Sequence, residues 1–127
     1  KPSWQNNWSG ALKRAVPDVS YNADPNTGVP VYITNYFGTT GWITVGGTSA
    51  GAPQWAALSA LVNATRTTSL NSADSALYSS ATGGYTTNFR DILSGNNGAY
   101  FCATSYDMVT GLGSPRAAAL VPTLKTK

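Results

Sequence analysis

The sequence has no histidine and no glutamate, and its five acidic residues are all aspartates: Asp18, Asp24, Asp74, Asp91 and Asp107. A serine or thiol nucleophile would therefore have to draw its base from an aspartate, a lysine or another chain. Cysteine occurs once, as Cys102, which excludes an internal disulfide. Nothing near it marks it as activated, so it reads as a small buried hydrophobe. Charged residues make up only 10% of the chain. The eight basic residues are scattered, so the net charge of +3 forms no basic stripe and gives no nucleic-acid signature. No apolar run approaches a membrane span, and no signal peptide is visible, as expected of a processed chain from a polar, secreted protein. Neither an internal repeat nor a block of like charge is present.

Against these absences stands Ser49, in Val45-Gly46-Gly47-Thr48-Ser49-Ala50-Gly51-Ala52-Pro53. The preceding Trp42-Ile43-Thr44-Val45 reads as a buried strand end, and Ala52 to Arg66 as a helix that is apolar nearly all round. Pro53 fits the first helical turn, where a missing N–H costs little. Ser49 is then expected at or just before the helix N-terminus, where unpaired N–H groups and the positive dipole end favour a developing oxyanion. Gly46, Gly47 and Gly51 clear Cβ atoms from around the hydroxyl. Gly47-Thr48-Ser49-Ala50-Gly51 also satisfies the G-x-S-x-G elbow of the α/β-hydrolases, but no histidine follows it. Lys1, Lys13, Lys125 and Lys127 are remote from Ser49 in sequence, so a serine-lysine pair finds no support in spacing.

Three further blocks accompany the serine: Phe89-Arg90-Asp91-Ile92, Gly95-Asn96-Asn97-Gly98, and Tyr106-Asp107-Met108-Val109-Thr110-Gly111-Leu112-Gly113-Ser114-Pro115. With Pro2-Ser3-Trp4-Gln5 and Val16-Pro17-Asp18-Val19-Ser20 before it, this order resembles the sedolisin family of serine-carboxyl peptidases over almost the whole chain. The resemblance implies an α/β, subtilisin-like three-layer fold of which this chain is roughly the C-terminal third. Residues 41–66 would form the nucleophile segment and residues 89–115 a calcium-binding segment. It implies an acid-active endopeptidase in which Ser49 is the nucleophile. Glutamate replaces histidine as its base, one aspartate orients that glutamate, and another completes the oxyanion hole. All three would lie before residue 1, on an N-terminal chain of the same precursor. It also implies one Ca²⁺, held by Asp91 and Asp107 with the carbonyls of Ile92, Ala103 and Ser105. Two carboxylates suit a hard cation that takes about six to eight oxygens. Relatives usually carry glycine where Ala103 and Ser105 stand. The implied partners are that N-terminal chain and a peptide or protein substrate, with no nucleic acid and no membrane.

A different class of function is a non-catalytic, calcium-stabilised binding or structural module that retains the fold without the base. Elsewhere the sequence predicts short strands around Asp18 to Tyr21, Val29 to Asn35, Gly41 to Val45 and Tyr100 to Ala103, and a helix from Ala73 to about Ser80 capped by Ser72. Ser114-Pro115 reads as N-cap and first residue of a last helix through Leu120. Tyr32, Tyr36 and Phe37 beside Gly38 could line a substrate cleft, but aromatics in and just after a strand are more often plain packing, and they are assigned no role. Four strands are too few to enclose the apolar helix, which asks for cover from a second chain or a missing half.

Overall fold

The computed structural model describes residues 1–127 and has mixed α and β structure. Its elements in chain order are β1 (Val29–Tyr36), β2 (Thr39–Val45), α1 (Thr48–Asn63), α2 (Ala73–Asn88), β3 (Phe89–Arg90), β4 (Ser114–Pro115) and α3 (Ala117–Lys125). The chain divides into two compact units, Tyr21–Ala56 and the combination of Lys1–Ser20 with Ala57–Lys127.

In Tyr21–Ala56, β1 and β2 form an antiparallel hairpin with Val29 opposite Val45, Val31 opposite Ile43 and Tyr32 opposite Trp42. Phe37 and Gly38 close it, both at positive φ (47° and 78°), the conformation that matches a tight turn to strand twist. Because side chains alternate, Val29, Val31, Ile43 and Val45 share one face, while Tyr32 and Trp42 meet edge to face at 5.5 Å on the other. Both faces are therefore apolar. Trp42, expected at a buried strand end, is 72% exposed, and Phe37, 91% exposed, packs on Tyr36 at 4.7 Å. An isolated two-stranded hairpin is marginal in water, and this one carries the composition of a sheet interior.

Gly46 and Gly47 then reverse the chain. A Cβ on Gly46 would overlap the Asp24-Pro25 backbone, and Gly47 sits at φ +106° with its N–H donating to the Ala23 carbonyl at 2.6 Å. The helix consequently starts at Thr48, four residues before the expected Ala52, and ends at Asn63 instead of Arg66. Pro53 falls in its second turn, not its first. Its cost is the one bond it cannot donate to the Ser49 carbonyl. Along α1 the apolar Ala52, Ala56, Ala57, Ala60 and Leu61 are exposed, and only Gly51 and Val62 are buried.

The other unit is built on α2 and α3 around Tyr78, Phe89, Leu112, Leu120 and Val62. α2 runs eight residues past the expected Ser80. Its path is interrupted at Gly84 (φ 167°, ψ 75°) and resumes, placing Tyr85 against Trp8 (5.4 Å) and Phe89 (6.1 Å). Ser72 is the N-cap residue, as expected, but its side chain makes no capping bond. Ser114-Pro115 do not open the last helix. They pair with Phe89-Arg90 as β4, and the Arg116 N–H bonds the Asn88 carbonyl at 2.8 Å, so Arg116 becomes the N-cap of a helix that continues through Pro122 to Lys125. The expected strand at Asp18 to Tyr21 reduces to two backbone bonds, Leu112 N–H to Asp18 O (2.7 Å) and Ser20 N–H to Gly113 O (3.0 Å). Around Tyr100 to Ala103 there is a single bridge, Asn96 to Phe101. Asn97 Oδ1 accepts the N–H groups of Ala99 and Tyr100, which diverts donors a ladder would use into a turn.

The buried centre of this unit is polar. Gln5, fully enclosed, accepts the Ala15 N–H at 3.0 Å and donates to the Ala15 carbonyl and the Tyr78 hydroxyl, each at 2.9 Å. Tyr78 in turn donates to Asp18 Oδ1 at 2.9 Å, and Arg14 pairs with Asp18 Oδ2 at 2.6 Å. Gln5→Leu strands the buried Ala15 N–H, at about 1–3 kcal/mol for such a group, and takes one of two donors from the Ala15 carbonyl, which keeps the Arg14 guanidinium. Denaturant unfolding of the full-length protein is expected to show a loss of about 2–4 kcal/mol for Gln5→Leu and about 1 kcal/mol for Tyr78→Phe. Equal losses would mean that the Ala15 bonds contribute nothing.

Candidate active site

Ser49 is exposed in the first turn of α1. The opening N–H groups of a helix have no partner within it; that of Ala50 bonds the Gly47 carbonyl at 2.9 Å, and that of Ser49 belongs to the same set. The serine thus stands within the first turn, one step deeper than sequence suggested, with its hydroxyl at the positive end of a 16-residue helix. Gly51, buried, lets the start of α1 pack on Tyr21, since a Cβ there would come within 3.0 Å of Tyr21 Cβ.

No base accompanies it. The Tyr21–Ala56 unit contains no lysine or arginine and one carboxylate, Asp24. Asp24 holds its own turn: Oδ1 accepts the Asn26 N–H at 2.9 Å and Oδ2 the Thr27 hydroxyl at 3.0 Å. These bonds, the Asn26 N–H first, lower its pKa from the ordinary carboxylate value. The remaining aspartates are likewise engaged. Asp18 belongs to the Gln5 and Tyr78 network, and Asp74 lies in the first turn of α2 at 3.8 Å from Arg14.

Asp91 and Asp107 converge on one loop. Asp91 Oδ1 accepts the Tyr85 hydroxyl (2.9 Å) and Oδ2 the Ser105 N–H (2.8 Å). Asp107, buried, accepts the Ala103 N–H on Oδ2 (3.1 Å) and the N–H groups of Val109 and Thr110 on Oδ1 (2.9 and 2.7 Å). Arg14 directs its ion pairs to Asp18 and Asp74, so no cation offsets this pair of carboxylates. Burial, and then the Asp91 hydrogen bond and the charges of Asp91 and Asp107, push the Tyr85 hydroxyl well above its ordinary pKa, which keeps it a donor to Asp91. Desolvation and the same two charges raise the Cys102 thiol. The cysteine is thus unactivated, as read from sequence, though half-buried instead of buried. All four oxygens of these two carboxylates accept from backbone N–H groups or hydroxyls, and no third carboxylate, cysteine or histidine joins them. Ser105 holds φ +72°, a left-handed conformation that favours glycine. Its carbonyl accepts from Tyr85 at 3.2 Å.

Tyr85 and Thr110 were not anticipated as supports of this loop. Thr110 was legible in principle, since Asp-x-x-Thr is a turn in which the aspartate accepts from residues two and three ahead. Tyr85 was not, because only the interrupted path of α2 brings it there.

No family model matches the chain. Individual proteins do: kumamolisin of Bacillus sp. (strain MN-32) is 38% identical over 128 residues, sedolisin of Pseudomonas sp. (strain 101) 36% over 120, and xanthomonalisin of Xanthomonas sp. (strain T-22) 32% over 117. The matches cover 90, 90 and 89% of this chain and fall in the C-terminal part of each relative. The chain belongs to the sedolisin family. It spans only 22, 19 and 13% of the lengths of these relatives, which are serine-carboxyl peptidases. Ser49 of this chain is an exposed serine at a glycine-bounded helix start, in a unit whose one carboxylate, Asp24, is held in its own turn.

Proposed function

We propose that this chain carries the nucleophile of a secreted serine-carboxyl endopeptidase acting at acid pH, in a subtilisin-like three-layer fold completed by an N-terminal portion of the same protein. The observation that carries the reading is the contrast between an exposed Ser49 and the one carboxylate of its unit, Asp24, whose oxygens are both held in its own turn. The Tyr32 and Trp42 face of the hairpin and the exposed apolar side of α1 support it further, because they are surfaces in want of cover. A glutamate from the N-terminal portion takes the Ser49 proton as Oγ attacks the peptide carbonyl, with an aspartate orienting that glutamate. A second aspartate, protonated and donating its O–H, and the N–H groups at the start of α1 hold the oxyanion. The protonated carboxyl then returns its proton to the leaving amine, and water releases the acyl group by the reverse sequence. A carboxylate base works where histidine would be protonated, so full-length protein is expected to cleave denatured protein at roughly pH 3–5. Activity that rises only through neutral pH would contradict a carboxylate base.

In this reading Asp91 and Asp107, with the carbonyls of Ile92, Ala103 and Ser105, hold one Ca²⁺. The ion supplies the countercharge that the two carboxylates lack and a centre for a loop too rich in Gly and Asn to pack on itself. Calcium at a hundred times its Kd should stabilise the full-length protein by about 2.7 kcal/mol over the chelated form. Asp107→Asn is expected to abolish that difference. Coincident melting curves for calcium-saturated and chelated wild type would contradict the site.

A further inference from the structure

Beside Ser49 lies a cleft of about 230 Å³ whose other walls are Val29, Val31, Val45, Ala50, Pro53 and Gln54. Its origin is the register of the hairpin: Val29 and Val31 lie two apart on β1, Val45 stands opposite Val29 on β2, and all three therefore share the face that meets the first turns of α1. No charged side chain contributes to the wall, and Gln54 supplies its one amide. The volume falls below the roughly 300–1,000 Å³ of pockets that enclose a drug-sized molecule, and matches a single side chain better than a whole ligand. A charged or strongly polar occupant would lose hydration here without a partner, whereas an apolar one gains by burial.

We propose that this valine-lined cleft takes one apolar side chain of the peptide substrate, next to the bond that Ser49 attacks, and that Val31, the valine 39% exposed on β1, sets how large that side chain can be. The assignment rests on the peptidase reading above. It commits to the substrate as occupant because Ser49 is itself one of the residues of the wall, so whatever fills the cleft lies beside the nucleophile residue.

The test uses full-length wild-type protein, Val31→Phe, which fills the cleft, and Val31→Ala, which enlarges it. Peptides differ only in carrying Ala, Leu, Phe or Asp at each position flanking the cleaved bond, and kcat/KM is measured for all. In the wild type, one position should prefer Leu over Asp. At that position Val31→Phe should lower kcat/KM for Leu and Phe by about tenfold or more, the range that hydrophobic pockets discriminate. Peptides with Ala there should stay within about twofold, and Val31→Ala should shift preference towards Phe. Active variants with the wild-type preference at every position would overturn the proposal and leave the peptidase reading intact. So would loss of the native fold in both variants, which would make the valine face plain core. A wild-type protein that cleaves none of the peptides would overturn the peptidase reading, and this inference with it.

Discussion

Residues 1–127 alone are expected to cleave no peptide bond at roughly pH 3–5, the range in which unperturbed carboxyl groups titrate. Activity should appear when the N-terminal portion is supplied, either in one chain or by co-refolding. The physical reason is specific to the Ser49 unit. Its one carboxylate, Asp24, has both oxygens tied into the turn from Asp24 to Thr27, and it has no lysine with which a serine could pair. The serine can reach the acyl-enzyme only with a proton acceptor in hydrogen-bond range. Covering the Tyr32 and Trp42 face and the exposed side of α1 should at the same time stabilise the chain, so activity and resistance to unfolding should return together. Hydrolysis by the isolated chain, at a rate comparable with the whole protein, would mean that a base had been overlooked within residues 1–127.

Ser49→Ala should remove turnover in the full-length protein by a factor on the order of 10⁶, the loss seen when the nucleophile of a cooperating set is deleted. The fold should survive, because Ser49 is exposed in the first turn of α1 and substitutions at such surface positions cost little. Substrate binding should change little, which separates loss of the nucleophile from collapse of the cleft formed by Val29, Val31 and Val45. Comparable rates in wild type and Ser49→Ala would assign the chemistry elsewhere.

Much of the local structure could be read from sequence. The hairpin strands were recognisable as β-branched and aromatic runs, and Gly46-Gly47-Thr48-Ser49 marked the junction of strand and helix. What escaped was set by contacts distant in sequence. Ser114-Pro115 have the look of a helix start, yet pairing with Phe89-Arg90 outweighs that preference and passes the cap to Arg116. The helix expected to end near Ser80 instead runs on to Asn88, and packing of Tyr85 on Trp8 and Phe89 lies beyond its interruption at Gly84. At the site, Ser49 stood out from its flanking glycines, and the pairing of Asp91 with Asp107 came from resemblance, not spacing. Their convergence on the Ala103 to Ser105 backbone and the help of Tyr85 needed the fold. The valine cleft followed from strand register, which composition does not fix.

The central claim is that Ser49 is a nucleophile completed by a carboxylate outside this chain. The most direct measurement is a crystal structure of the full-length protein soaked at acid pH with a peptide aldehyde. The account predicts continuous density from Ser49 Oγ to the former aldehyde carbon, with a glutamate from the N-terminal portion within hydrogen-bond distance of that oxygen. An aldehyde bonded to another residue, or a bonded Ser49 whose nearest carboxylate is one of the five aspartates of residues 1–127, would contradict it.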